Sequence, residues 1–264
     1  MSVPEPWKVP IGTKYNVRIT EFEDPSRFWY QRKDFSQCLD RLEFEMRKFY
    51  DEEDESVIFE LLNFKKPVGQ PIALKCHTYW DYWYRGFVKS QTKPNVLTVY
   101  YTDYGTSDEV RIQDIRYLAP QFQKLPAQAI LARLSGVKPI NDTWPAGLIS
   151  YVRDEAIKTQ FKGELSATLE GYQITSQGCL ASVTIQNTED GTILNDEIVK
   201  RRFAEIERPS FVEDNYKLDY SEKIGTDCCQ DKKQMSRNST LMISVRSILE
   251  ERLRIRMKRI KVNS

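Results

Sequence analysis

Apolar and polar residues alternate through Lys14 to Thr20 (KYNVRIT), the period of a strand with one buried face. Asp24-Pro25-Ser26 is a turn signal, and the aromatic run Phe28 to Gln31 suits a second strand. The period then changes. Phe35, Leu39, Leu42, Met46 and Phe49 recur at spacings of four and three, the stripe of an amphipathic helix that Asp34 is placed to cap. The acidic run Asp51 to Ser56 reads as a solvated loop. From Gly69 the pattern predicts short strands at Pro71 to Cys76, Trp83 to Lys89, Val96 to Tyr101 and Glu109 to Ile112, with turns at Asp81, Gln91 to Asn95 and Asp103 to Gly105. Strands this short and close together suggest a small, strongly bent antiparallel barrel.

Beyond Pro126 the pattern turns helical around Leu148 to Phe161. It returns to strands at Leu165 to Tyr172 and Cys179 to Gln186, split by the turn-rich Thr175 to Gly178. Thr188 to Gly191 marks a hairpin-type turn. Asp196 to Ala204 predicts a short closing helix with Ile198, Val199 and Phe203 as its contacts. Arg208 to Asn238 is polar and aperiodic, a linker or disordered stretch. Leu241 to Lys261 has the composition of a helix and ends in RLRIRMKRIK, six basic residues in ten.

Composition narrows the function classes. Charges nearly cancel, 39 basic against 38 acidic residues, so attraction of the whole surface to nucleic acid is not indicated. The five cysteines (Cys38, Cys76, Cys179, Cys228, Cys229) lack metal-ligand spacing and read as reduced thiols. No apolar run of membrane-spanning or signal-peptide length is visible, so the expectation is an intracellular, soluble protein. Any Ser-His-Asp or Cys-His chemistry would hang on the one histidine, His77, and no Gly-rich phosphate loop appears. These features argue against an enzyme and call for no cofactor.

The segment from Cys76 to Gly105, CHTYWDYWYRGFVKSQTKPNVLTVYYTDYG, is dense in rings: Tyr79, Trp80, Tyr82, Trp83, Tyr84, Tyr100, Tyr101 and Tyr104. In alternating strands some of these rings point away from the core. Gathered outward faces attract a soft, poorly hydrated cation such as a methylated ammonium or guanidinium, each ring contributing ~0.5–2 kcal/mol. Composition alone leaves a cage and a purely structural cluster open. Trp83 alternates with Tyr84, and the core side is assigned to Trp83.

Trp83-Tyr84-Arg85, followed by Tyr101-Thr102-Asp103-Tyr104-Gly105, resembles the signature of the Tudor domain. The likeness extends to VRITEFEDPSRFWYQ (17–31) upstream, and to LPAQAILARLSGVKP (125–139), Trp144 and TEDGTILNDEIVKRRFAE (188–205) downstream, which resemble the flanks of the extended Tudor domain. The resemblance implies an α+β, mostly β fold: a Tudor barrel (67–118) inserted in a split staphylococcal-nuclease-like, OB-type fold (7–66 and 119–207), with a linker and basic tail (208–264). It also implies a reader of symmetric dimethylarginine in Arg-Gly or Arg-Ala repeats on a partner such as a PIWI-family protein, in cytoplasmic germ granules. Carried over by position, the cage is Tyr79, Tyr84, Tyr101 and Tyr104, with Trp80 the substitute for Tyr79.

The family's cage usually ends in an Asn whose amide hydrogen-bonds the guanidinium. Thr106 holds that position here. Its shorter hydroxyl is expected to weaken binding by ~1.5–3 kcal/mol. The resemblance gives Asp190, Asp196 and Glu197 structural roles rather than nuclease chemistry. Two other readings stand beside the reader. In one, the OB-type fold and residues 252–261 bind single-stranded RNA. In the other, a degenerate cage leaves partner binding to another face.

Overall fold

The computed structural model describes residues 9–52, 68–76, 82–156, 164–175 and 178–207. The N-terminal flank supplies β1 (Lys14–Asp24), β2 (Arg27–Arg32) and helix α1 (Ser36–Asp51). The middle supplies β3 (Pro71–Cys76), β4 (Tyr82–Lys93), β5 (Val96–Tyr101), β6 (Ser107–Arg111) and β7 (Ile115–Tyr117). The C-terminal flank adds β8 (Ile130–Leu134), β9 (Val137–Pro139), α2 (Ala146–Tyr151), β10 (Leu165–Thr175), β11 (Gly178–Asn187) and α3 (Leu194–Lys200). The chain divides into two compact units, Met1–Glu205 and Ile206–Ser264, and these elements all lie in the first. No helix among the described residues is long and apolar enough to cross a membrane.

Two sheets carry the fold. The first is a closed barrel in the order β1-β10-β11-β8-β2. It is stitched from both flanks: β1 pairs β10 in the register Lys14↔Thr168, while β8 lies antiparallel to β2 and parallel to β11. Alternation in β1 buries Val17 and Ile19, and Phe28, Tyr30, Leu134, Leu169, Val183 and Ile185 of the other barrel strands, from both flanks, are buried likewise. Asn195 pins α3 to this barrel. Its side chain accepts from the Ile185 N–H at 3.0 Å and donates to the carbonyls of Ser135 and Val183.

The second sheet is the inserted segment, antiparallel in the order β6-β5-β4-β3-β7. β4 runs to Lys93, so the expected turn over residues 91–95 contracts to Pro94-Asn95, with Asn95 at φ 67. Bulges at Val88/Ser90 and Gln91/Lys93 bend the hairpin. β7, β8 and β9 have no counterpart among the predicted strands. The helical pattern at Leu148 begins at Ala146 and passes into a π turn over residues 152–156; the rest of that prediction lies outside the described residues. The turn expected at Thr188 to Gly191 is closed as a hairpin by the antiparallel bridge Gln186↔Ile193 and leads directly into α3, which ends before Phe203 and Ala204.

Helix α1 differs from its prediction in two respects. Asp34 is not its cap: a 3-10 turn (Lys33–Phe35) comes first, and the Asp34 carboxylate accepts from the Arg32 guanidinium. The buried face is also rotated from the predicted stripe. Cys38, Leu39, Glu43, Met46 and Tyr50 are buried, while Leu42 and Phe49 are partly covered. Tyr50 explains the rotation. Its ring packs 4.9 Å from Trp83, and its hydroxyl donates to the Tyr117 carbonyl and accepts from the Ala119 N–H. Met46, Tyr50, Ala73, Trp83, Leu118 and Phe122 form the core between helix and sheet. Asp51, expected in a solvated loop, ends the helix and accepts the Trp83 indole N–H at 2.9 Å.

Candidate binding site

Trp83 and Tyr84 are consecutive on β4 and face opposite sides, as the alternation predicts. Trp83 enters the core beneath α1. Tyr84 turns toward the end of β5 and the turn that follows it, where it meets Tyr101 and Tyr104. The Tyr84 ring lies 5.9 Å from Tyr101 and 5.5 Å from Tyr104, at interplanar angles of 71° and 85°. Rings inclined in this way are the geometry a cage needs, because one cation touches several π faces only when the planes are not parallel. All three are largely buried, between 4% and 7% exposed. Tyr79 and its substitute Trp80 lie outside the described residues. Thr106 is half-buried one residue beyond the turn, and its backbone carbonyl accepts from the Tyr101 N–H.

The turn is closed by bonds from Tyr104 N and Gly105 N to the Tyr101 carbonyl. Gly105 adopts φ +78, the left-handed region that side chains disfavour. A Cβ there would stand 2.1 Å from Cγ of Trp29, so the glycine also lets the turn lie flat against the indole. Two further side chains of the N-terminal strands hold it. Thr20 Oγ1 donates to the Tyr104 carbonyl at 2.8 Å, and Gln31 donates to the Asp103 carbonyl.

From the other side Arg85 and Asp103 make a buried ion pair, with Nε–Oδ2 2.9 Å and Nη2–Oδ1 2.6 Å. The remaining Arg85 donors reach the carbonyls of Phe122, Leu125 and Pro126. All five guanidinium N–H groups are thus used. Asp103 Oδ1 also accepts the Gln128 N–H. One pair therefore ties β4, the aromatic turn and the segment leading into β8.

The hydroxyl of Tyr104 donates to Glu43 Oε1 of α1 at 2.5 Å. Burial, the adjacent Glu43 and Tyr84 push this phenol well above its ordinary range, so it stays a protonated donor. Glu43 is itself buried. Sequence reading places neither Glu43 nor the Arg85–Asp103 pair in the site. For the pair, a basic and an acidic residue inside otherwise aromatic strands is the available signal. For Glu43 it is an acid four residues after Leu39 and three before Met46, on the buried face.

Other aromatic residues of the cluster are occupied differently. Arg47 lies over the Tyr82 ring at 5.2 Å, and Lys75 and Arg116 over Trp83 at 5.6 and 5.5 Å. Tyr100 packs on Phe87. Of the carboxylates considered for nuclease chemistry, Asp190 accepts the Thr192 N–H and Glu197 pairs with Arg201. Among the described residues no group of three or more His, Cys, Asp or Glu side chains is placed to hold a metal ion.

Comparison with known proteins agrees with the architecture. The Tudor domain profile matches residues 9–136. Tudor domain-containing protein 1 of Oryzias latipes is 27% identical over 147 residues, covering 56% of this chain and 12% of that protein. The human Tudor and KH domain-containing protein is 28% identical over 202 residues, covering 75% and 34%. The chain spans 9% to 16% of the length of four Oryzias latipes and Danio rerio Tudor-domain proteins that it matches.

Among solved structures, the human TDRD1 extended Tudor domain in complex with a symmetrically dimethylated peptide superposes with a TM-score of 0.68 at 18% identity, covering 78% of this chain and 96% of that one. The Drosophila melanogaster Papi extended Tudor domain gives 0.64 at 24%, covering 74% and 100%. The mouse TDRD1 extended Tudor domain with a dimethylarginine MILI peptide gives 0.60 at 20%, covering 77% and 98%. The described unit thus has the extended Tudor fold, in which a Tudor sheet carrying clustered tyrosines is inserted into an OB-type barrel built from its two flanks.

Proposed function

We propose that this domain is a binding module, not an enzyme, and that it reads methylated arginine on a partner protein through Tyr84, Tyr101 and Tyr104, with Tyr79 as the fourth wall and Thr106 at the rim. The observation that carries the reading is the set of three inclined tyrosine rings, on β4, at the end of β5 and on the following turn, with that turn held from both flanks. A cage whose walls are fixed before the ligand arrives loses little freedom on binding. Related domains have been solved with such ligands: human TDRD1 with a symmetrically dimethylated peptide, mouse TDRD1 with a dimethylarginine MILI peptide, and Papi with a Piwi N-terminal peptide dimethylated at one arginine. By that analogy the partner is an Arg-Gly or Arg-Ala tract of a PIWI-family protein, and the setting is a germline cytoplasmic granule.

Thr106 offers a gain-of-function test. Thr106→Asn is expected to raise affinity for a symmetric dimethylarginine peptide roughly ten- to a hundredfold, the worth of a hydrogen bond to a charged group. Fluorescence anisotropy measures this directly. The same peptide with lysine in place of the methylated arginine is expected to lose binding to both proteins. Equal affinity for the lysine peptide contradicts the reading and leaves the domain as a module that uses another face.

A further inference from the structure

We infer that Glu43 is a specificity-determining residue of the cage, acting through Tyr104: its carboxylate makes the pocket select a cation over a neutral side chain of the same shape. The inference rests on the methylarginine reading above and adds a residue from outside the Tudor sheet. Three observations support it. Glu43 sits on the buried face of α1, between Leu39 and Met46, where an apolar residue would pack without penalty. Its Oε1 accepts the Tyr104 hydroxyl at 2.5 Å, a separation within the range of an O–H bonded to a carboxylate. The proton stays on the phenol, whose hydroxyl burial and the neighbouring carboxylate push well above its ordinary range.

A phenol that donates to an anion gains electron density in its ring, so its π face becomes more attractive to a cation. The carboxylate adds its own field in a poorly screened environment. Arg18, which lies close enough to act on Tyr104, opposes part of this charge. Its Nη2 donates to Gln31. Glu43 therefore orients one cage wall and gives it negative potential, while the other rings supply shape.

The test compares Glu43→Gln with the wild-type chain, because glutamine keeps the volume and an oxygen that accepts from Tyr104. Two peptides are titrated by NMR, which reads weak affinities: one carries symmetric dimethylarginine, the other citrulline, planar and neutral. Glu43→Gln is expected to weaken the cationic peptide about tenfold and to leave the citrulline peptide within about twofold. Equal weakening of both peptides, or no change in either, overturns the inference while the reader assignment stands. If the wild type binds neither, both fall. Should Glu43→Gln fail to fold, Tyr104→Phe keeps the ring and severs the link. It is expected to lose several-fold in affinity for the cationic peptide alone, and wild-type affinity there overturns the inference.

Discussion

Replacing Arg85 with methionine is expected to lower the stability of the folded unit by about 3–5 kcal/mol, the cost of leaving a buried carboxylate without its partner. Asp103 would keep the Gln128 N–H but lose both guanidinium bonds; the carbonyls of Phe122 and Leu125 would lose the donor that Arg85 supplies, and that of Pro126 would keep only the Gln128 side-chain amide. For a domain of this size the melting temperature falls by roughly 6–20 °C. Arg85→Lys is expected to rescue little, because an ammonium has three donors and no fork to match the carboxylate. Asp103→Asn should be damaging for the complementary reason, since it strands a buried guanidinium. The double variant Arg85→Met/Asp103→Leu is expected to be less destabilised than the sum of the singles, as for contacting partners. Calorimetric melting of the wild type, Arg85→Met, Asp103→Leu and the double variant tests this; additive losses would show that the pair does not act as a unit.

The second large effect is expected from Gly105→Ala. An alanine at φ +78 costs ~1–2 kcal/mol in backbone strain. The Cβ, 2.1 Å from the Trp29 ring, adds overpacking of ~1–3 kcal/mol. Both fall on the turn that carries Tyr104, so the variant is expected to lose peptide binding at temperatures where it is still folded. Trp29→Leu in the Gly105→Ala background should recover part of the stability by removing the clash, although the strain at φ remains. Circular dichroism melts and peptide titrations of the single and double variants separate the two contributions. A fully stable, fully binding Gly105→Ala would contradict the description of the turn.

Much of this arrangement is legible along the chain because local period decides it. The alternation of Trp83 and Tyr84 assigns one ring to the core and the next to the site, and the strands at Lys14 and Val96 follow from the same rule. What is not legible depends on distant partners. β1 pairs with β10 about 150 residues away, and no local pattern announces it. The α1 stripe reads one position out of phase because Leu42 and Phe49 look more apolar than Glu43 and Tyr50. Tertiary bonds to Tyr104, Tyr117 and Ala119 reverse that preference. Asp34 reads as a cap on spacing alone, yet Arg32 two residues earlier is a stronger partner in that local geometry.

For the site the division is similar. The cluster of rings is visible in composition, and the resemblance assigns its members, but what holds them in place comes from elsewhere in the chain. Thr20, Trp29 and Gln31 arrive from the first barrel, Glu43 from the helix and Gln128 from the strand approach. Each is an ordinary residue in its own segment. Its role arises only when the two flanks close around the inserted sheet.

The central claim is most directly tested by calorimetric titration of the whole chain with one Arg-repeat peptide in unmethylated, asymmetrically dimethylated and symmetrically dimethylated forms, with Tyr104→Ala run alongside. The account predicts that the symmetric form binds tightest, in the micromolar range expected for a cage of a few cation–π contacts, and that the variant loses this binding. Equal affinity for all three forms, or binding unchanged in Tyr104→Ala, would contradict it.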